Sequence, residues 1–316
     1  MDFIQACFQP NFRKIMINEG KEFTEDEFSQ YLNIDSLKAE LEKLRNTDFT
    51  DKSPKEILKI FNDYFDLMPT VTARYTTAKF NTFKFYRVRN NVNLDTEDLN
   101  LIQTYSYPLP QFCKENGRAN LKNMSVFYCS NHALTALIES KPKVGEIGYL
   151  SIWQGRAFEE MSAGVLLPKT LRKENVWSEL TEDLYSHVEK NVNEKLKEKS
   201  SLFHEKLKFI ANLFLTEVCP YPITSLVASE LLYGKARKDF IIYPSFANDS
   251  YSCNMAIHPN VVDGFLKFKK VIRFKVLAIS GQNFTMSTGR VGELVKNNIE
   301  WRTATQEELD FSLLPI

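Results

Sequence analysis

The stretch that most restricts the fold of this chain runs from Gly117 to Glu139 and has the pattern of a loop, a strand, a turn and a helix. The run from Val126 to Ser130 is apolar and β-prone, and apolar residues recur at helical spacing after the turn. Two residues do not suit a simple core unit. Arg118 stands in the loop, where its planar guanidinium fits an anion, and Glu139 ends a mostly apolar helix, where a carboxylate is solvated at a cleft or paired.

The charge balance of the chain excludes some classes of partner. Among 316 residues, 40 Lys and Arg balance 40 Asp and Glu, so net charge does not attract the protein to nucleic acid or to a membrane. The 11 glycines form neither the G-x-G-x-x-G pattern nor the phosphate-binding loop G-x-x-x-x-G-K-[ST]. The sequence therefore predicts neither a Rossmann nor a P-loop nucleotide site.

Cysteine usage and hydropathy indicate the compartment. The five cysteines are scattered without a C-x-x-C pair, which is typical of a reducing cytosol and argues against structural zinc. The first 20 residues lack an uninterrupted apolar segment, and no later run approaches the roughly 18 apolar residues that a membrane span needs. We expect a cytoplasmic protein without a metal.

Periodicity divides the chain into helical and β-rich parts. Residues 1 to about 70 look helical, with capping boxes at Thr24–Glu27 and Ser53–Glu56, and their apolar stripes pack on the main domain or form a partner-binding face. From Phe80 onwards β-prone alternation predominates, interrupted by a helical region, Leu171–Glu217. The strand predicted at Phe265–Val276 alternates with lysines, which is typical of an edge strand. The tail from Ser280 is polar and ends in a short acidic helix near residues 305 to 311.

Several short blocks in a fixed order resemble the RES domain family, which is named for an arginine, a glutamate and a serine. The blocks are Tyr86-Arg87, Gly117-Arg118-Ala119-Asn120, Tyr128, Thr135-Ala136-Leu137-Ile138-Glu139, Tyr243-Pro244-Ser245 and Asn254. They span residues 83 to 276 with large insertions between them.

The resemblance implies an α+β fold like that of ADP-ribosyltransferase toxins, with antiparallel sheets around a cleft that binds NAD. It implies a helical N-terminal extension at residues 1–78, a RES domain at 79–279 with a helical insertion at 171–217, and a C-terminal tail at 280–316. RES proteins resemble one another in destroying NAD by hydrolysis or phosphorolysis, and some look like transferases that ADP-ribosylate a protein. Many are toxins that a helix-turn-helix antitoxin inhibits.

The residue types in these blocks suit cleavage of NAD. Arg87 and Arg118 are candidate clamps for the pyrophosphate, and Tyr86 or Tyr128 for stacking on the cationic nicotinamide ring. Glu139 is the candidate carboxylate that stabilises positive charge on the ribose. Three further residues complete the predicted site: Ser245, which bonds the ribose or holds Glu139 in place, Asn254, which supports it, and Tyr243, which belongs to the same block as Ser245.

Each assignment has a structural alternative. Glu139 alone is as well explained as a solvated helix-end acid, and Arg87 and Arg89 as a surface strand face. Tyr128 and Tyr243 suit a core equally well, and Asn254 a structural role. The chain also departs from the family pattern, because Ala119 replaces an aromatic residue and Phe246-Ala247 stands where an arginine is usual.

Three functions follow in order of preference. The first is NAD cleavage with water or phosphate as acceptor, by a toxin or stress effector that has an antitoxin as partner. The second is transfer of ADP-ribose to a protein acceptor. The third is a catalytically silent module that binds a nucleotide or a partner.

Overall fold

The structure, a computed structural model, describes residues 4–7, 33–64, 70–175, 177–190, 197–235, 237–245, 251–305 and 308. The chain forms two compact units, each assembled from three separated segments. The first unit comprises Met1–Arg74, Cys113–Met124 and Ser162–Pro244, and the second comprises Tyr75–Phe112, Ser125–Met161 and Ser245–Ile316. These segments end at other positions than the predicted domain boundaries, which stay predictions.

The first unit is mainly helical, and two pairs of strands accompany its helices. Strands β1 (Ile4–Cys7) and β2 (Thr70–Tyr75) pair antiparallel, whereas β6 (Met161–Val165) and β7 (Phe240–Pro244) pair parallel. The helices are α1 (Ile34–Arg45), α2 (Pro54–Tyr64), α5 (Ser178–Lys190), α6 (Lys197–Thr216) and α7 (Pro222–Tyr233).

Local sequence explains where the first two of these helices begin. Asn33 caps α1 by accepting from the Ser36 amide at 2.9 Å. The Ser53 amide donates to Glu56 at 2.8 Å at the start of α2, which confirms the second predicted capping box. The first predicted box, Thr24–Glu27, lies outside the described residues. The expectation that residues 1 to 70 are wholly helical is wrong at β1, because a strand of four residues is too short for its period to be recognised.

The second unit contains an antiparallel sheet. Its strands follow the spatial order β8, β4, β3, β5, β9, β10, β11. In chain order they are β3 (Lys84–Asn90), β4 (Phe127–Ser130), β5 (Ile147–Gly155), β8 (Cys253–Ile257), β9 (Leu266–Ser280), β10 (Asn283–Val295) and β11 (Asn298–Thr303). Three short helices accompany them: α3 (Thr77–Phe80), α4 (Ala133–Glu139) and α8 (Pro259–Phe265).

The two faces of this sheet have different coverings. Helix α4 packs on one face, and its residues share a core with these buried side chains: Tyr86, Leu150, Ile152, Ile272 and Phe274. Aromatic rings pack together on the other face, among them Tyr105, Tyr149, Trp153, Phe268 and Trp301. Because successive strand residues point to opposite faces, a residue's position in its strand determines which core it meets.

Two expectations about the C-terminal part are wrong. Strand β9 is not an edge strand, because β5 and β10 pair with its two sides. Its exposed Lys267 and Lys269 alternate with buried Leu266 and Phe268, so the lysines mark a solvent-facing side and not an edge. The segment from residue 280, expected to be a polar tail, forms β10 and β11. Most of the acidic helix predicted near residues 305 to 311 lies outside the described residues.

The described chain is an α+β protein, as the sequence predicts. None of its described helices combines the length and apolar composition needed to cross a bilayer.

Candidate functional site

Three polar side chains meet in the second unit, and we call them the Glu139 cluster: Glu139, Ser245 and Asn254. The Ser245 hydroxyl donates to Glu139 Oε1 at 2.6 Å, and the Asn254 amide donates to the same oxygen at 2.7 Å. Within the described residues, Glu139 Oε2 accepts no hydrogen bond. Two short charge-assisted bonds therefore fix the carboxylate, and its second oxygen is left for a ligand.

The ends of several elements bring the Glu139 cluster together. Glu139 is the last residue of α4, and Asn254 lies in β8 directly opposite Ser130 of β4. Ser245 follows β7 in the sequence, is fully buried, and donates its amide to the Ser252 carbonyl at 3.2 Å. These contacts are the ones expected of a supporting serine and asparagine, whereas the catalytic roles stay predictions.

The C-terminal end of α4 is an unfavourable place for an acid. The free carbonyl groups of a helix end repel a carboxylate, at a typical cost of about 0.3 to 1 kcal/mol. Ser245 and Asn254 offset this repulsion by donating to Glu139. A carboxylate kept at such a place by two dedicated donors is typical of a functional site.

Asn90 fixes the same end of α4 from the neighbouring strand β3. Its amide donates to the carbonyl and the hydroxyl of Ser140, at 3.0 Å and 3.2 Å. Ser140 is the residue that caps α4 immediately after Glu139. Sequence analysis missed Asn90, because an Asn-Asn pair at the end of a strand looks like the start of a loop.

Tyr128 lies on the same face of the sheet as Asn254. It is two residues from Ser130 in β4, and side chains two apart in a strand share a face. Its side chain is half-buried, so a part of it is accessible. The structure thus leaves Tyr128 able to contact a ligand on the side where the Glu139 cluster lies.

The structure does not bring Arg87 together with Glu139. Tyr86 points to the face that α4 covers, so Arg87, the next residue, points to the opposite face. There its guanidinium donates to the carbonyls of Ser106 and Tyr128, both at 3.0 Å, and lies over the Phe127 ring. Arg87 thus ties the segment around Ser106 to β4 on the face opposite the Glu139 cluster, and this position does not fit its predicted role as a clamp for the pyrophosphate.

Tyr86 is a core residue. Its side chain is fully buried, and burial raises the pKa of its hydroxyl to about 12. A ring with no exposed surface has no face for nicotinamide. The predicted stacking role therefore does not fit the position of Tyr86.

Arg118 belongs to the first unit, where it caps the C-terminal end of α6. Paired backbone hydrogen bonds between Gly117 and Asn120, at 2.9 Å and 3.3 Å, close a tight turn that carries Arg118. Its Nη1 donates to the Phe214 carbonyl at 2.7 Å, and its guanidinium lies 4.8 Å from the centre of the Tyr221 ring. A cation is favourable at the carbonyl end of a helix.

Glu217 and Tyr243 complete the description of the first unit. Glu217 accepts from the amides of Ile223 and Thr224, at 2.9 Å and 2.8 Å, and so caps the start of α7. Burial raises the pKa of the Glu217 carboxyl, against the hydrogen bonds and the nearby Arg118 that lower it. Tyr243 is buried beside Phe214, with ring centres 5.2 Å apart, which fits a core residue.

Sequence analysis also missed Glu217 and Tyr221. The proline after Tyr221 is a signal for the start of α7, and an acidic residue shortly before such a start is a candidate cap. Within the described ranges, no three His, Cys, Asp or Glu side chains are close enough to hold a metal ion.

No protein family model matches the sequence, and no curated protein matches it. The fold and the site define an α+β protein with a fixed, partly accessible carboxylate. The resemblance to the RES family stays a prediction, which rests on the residues quoted above.

Proposed function

We propose that this protein is a RES-type enzyme that cleaves the bond between nicotinamide and ribose in NAD. The observation that carries the proposal is the fixed carboxylate of Glu139, which two donors hold through Oε1. Cleavage leaves the bonding electron pair on nicotinamide, which departs as a neutral molecule. The ribose carbon then bonds to an oxygen of water or phosphate, and that acceptor loses a proton.

The chemistry suits a carboxylate whose position is fixed in advance. As the bond to nicotinamide breaks, positive charge develops on the ribose, and a negative charge beside it lowers the barrier. Ser245 and Asn254 keep Glu139 from turning away, so its second oxygen faces the ligand without reorganisation. In this proposal Tyr128 stacks on the flat cationic nicotinamide.

The phosphate-bearing part of NAD requires a cation, and Arg118 is the residue that the resemblance predicts for it. Its Nη1 is engaged with α6, whereas Nε and Nη2 donate to no residue in the described part of the chain. Arg87 is left out of this proposal, because its side chain lies on the face of the sheet opposite the Glu139 cluster. The protein would act in the cytoplasm as a toxin or stress effector, with an antitoxin as partner.

The first experiment compares nicotinamide release from NAD by the wild-type protein and by Glu139→Gln. Glutamine keeps an oxygen that accepts from Ser245 and Asn254 but removes the charge, so we expect a loss of about a hundredfold or more at nearly unchanged Tm. The matched control is Glu146→Gln, because Glu146 is a hydrogen-bonded glutamate of the same unit outside the Glu139 cluster. Equal rates for wild type and Glu139→Gln would contradict the assigned role.

Two further measurements identify the acceptor of the ADP-ribose group. Release of nicotinamide with and without inorganic phosphate distinguishes hydrolysis from phosphorolysis. Intact-mass analysis of lysate proteins incubated with NAD detects transfer of ADP-ribose to a protein, which is the alternative reaction.

A second candidate is a module that binds NAD without cleaving it. The engagement of Arg87 with Ser106 and Tyr128 favours this candidate, because it removes a cation that the family pattern assigns to the site. Calorimetric binding of NAD with no nicotinamide release over hours would support it over the enzyme.

A further inference from the structure

Arg118 and Tyr221 form an arrangement in the first unit that the sequence does not predict. The guanidinium carbon lies 4.8 Å from the centre of the Tyr221 ring, within the range of a cation–π contact. Arg118 also donates from Nη1 to the carbonyls of Phe214 and Leu213, at 2.7 Å and 3.4 Å. A ring and a helix end together fix the orientation of the guanidinium plane.

The backbone of Tyr221 supports a role beyond packing. Its φ of +55° and ψ of 53° place it in the left-handed region, which residues other than glycine and asparagine seldom adopt. Such a conformation costs on the order of 1 kcal/mol and is found most often where function requires it. A tyrosine thus stands at a position whose backbone conformation favours glycine.

The remaining donors of Arg118 form one edge of the guanidinium. Neither Nε nor Nη2 donates to a residue in the ranges that the structure describes. The neighbouring acid, Glu217, does not occupy this edge, because its oxygens accept from Ile223 and Thr224. An edge with two parallel N–H groups matches two oxygens of a phosphate group.

We propose that Tyr221 is a positioning residue, which holds Arg118 so that its Nε and Nη2 edge binds a phosphate-bearing ligand. The inference rests on the proposed function, in which Arg118 meets the pyrophosphate of NAD. It adds that the affinity of this edge depends on the aromatic ring at position 221.

The test is calorimetric titration of the full chain with inorganic pyrophosphate at low salt. We expect Tyr221→Phe to bind like the wild type, because the ring is kept. Tyr221→Leu and Tyr221→Gly lose the ring, so we expect roughly fivefold to tenfold weaker binding. Glycine suits the left-handed backbone, so Tyr221→Gly tests the ring even if the leucine variant does not fold.

Controls separate this inference from the proposed function. Arg118→Ala removes the binding group itself, so we expect it to lose pyrophosphate binding, whereas Phe158→Leu changes an exposed ring of the other unit and leaves binding unchanged. Wild-type affinity in folded Tyr221→Gly, or no pyrophosphate binding by the wild type, overturns the inference. Neither result concerns nicotinamide release, which tests the proposed function separately.

Discussion

Among single residues, Glu217 has the environment that most clearly sets a pH dependence. Burial raises the pKa of its carboxyl above the ordinary value of 4.5, while its capping bonds and Arg118 act in the opposite direction. The folded protein therefore binds the proton more tightly than the unfolded chain. The contribution of Glu217 to the free energy of unfolding is complete below its ordinary pKa. This contribution is lost as the pH rises through the higher pKa that the carboxyl has in the folded protein.

We predict that Glu217→Gln reduces this pH dependence. The variant has no titrating group at position 217, so the free energy of unfolding of the wild type should fall, relative to the variant, between about pH 4 and about pH 7. Urea unfolding of both proteins at the two pH values measures this difference. If the free energies of unfolding of wild type and Glu217→Gln differed by the same amount at both pH values, the raised pKa of Glu217 would be contradicted.

The predicted site residues differ in how far the sequence determines their positions. Ser245 and Asn254 could be placed near Glu139 because the order of the family blocks pairs a serine with the carboxylate. The sequence did not assign the faces of Tyr86 and Arg87, because both stand in a strand with polar and aromatic residues on each side. The core that Tyr86 shares with α4 shows that Tyr86, and not Arg87, points towards this helix.

At the scale of elements, Gly148 in β5 allows β3, β9 and α4 to pack closely. A Cβ at this position would lie 2.2 Å from Phe274 Cζ and 2.8 Å from Asn90 Oδ1. Phe274 belongs to the core under α4, and Asn90 fixes the end of that helix. The absence of a side chain at 148 therefore affects the support of Glu139.

We predict that Gly148→Ala lowers the free energy of unfolding by about 1 to 3 kcal/mol, because the added methyl group overpacks the core. The matched control is Gly264→Ala in α8, where a Cβ would meet nothing within 4 Å. Alanine there should leave stability unchanged or raise it by up to about 1 kcal/mol. Denaturant unfolding of the three proteins provides the comparison, and equal stability of wild type and Gly148→Ala would contradict the packing argument.

The elements with strong local signals were predicted, and those that depend on distant pairing were not. Strand β4 and helix α4 carry their own turn and periodicity, so both were found. Strands β10 and β11 are largely polar on their exposed sides, and their regularity comes from pairing with β9 and with each other. The glycine at 281, with a φ of +59°, is the one local sign of the turn that joins β9 to β10.

For the whole molecule, the proposed function predicts stabilisation by NAD. A ligand that binds only the folded state at a hundred times its Kd adds about 2.7 kcal/mol to the free energy of unfolding. We expect NAD to raise the Tm of Glu139→Gln by a few degrees, because this variant binds NAD without consuming it. Adenosine, which lacks the pyrophosphate, is the control ligand and should have a smaller effect. An unchanged Tm with NAD would contradict binding.

The Glu139 cluster can form only late in synthesis, because its residues lie far apart in the sequence. Ser245 and Asn254 follow Glu139 by 106 and 115 residues. A growing polypeptide that has left the ribosome only as far as α6 already holds the acid but neither of its donors. If the proposed activity harms the cell that makes it, biosynthesis itself delays that harm until most of the chain has been translated, which gives a partner protein time to bind first.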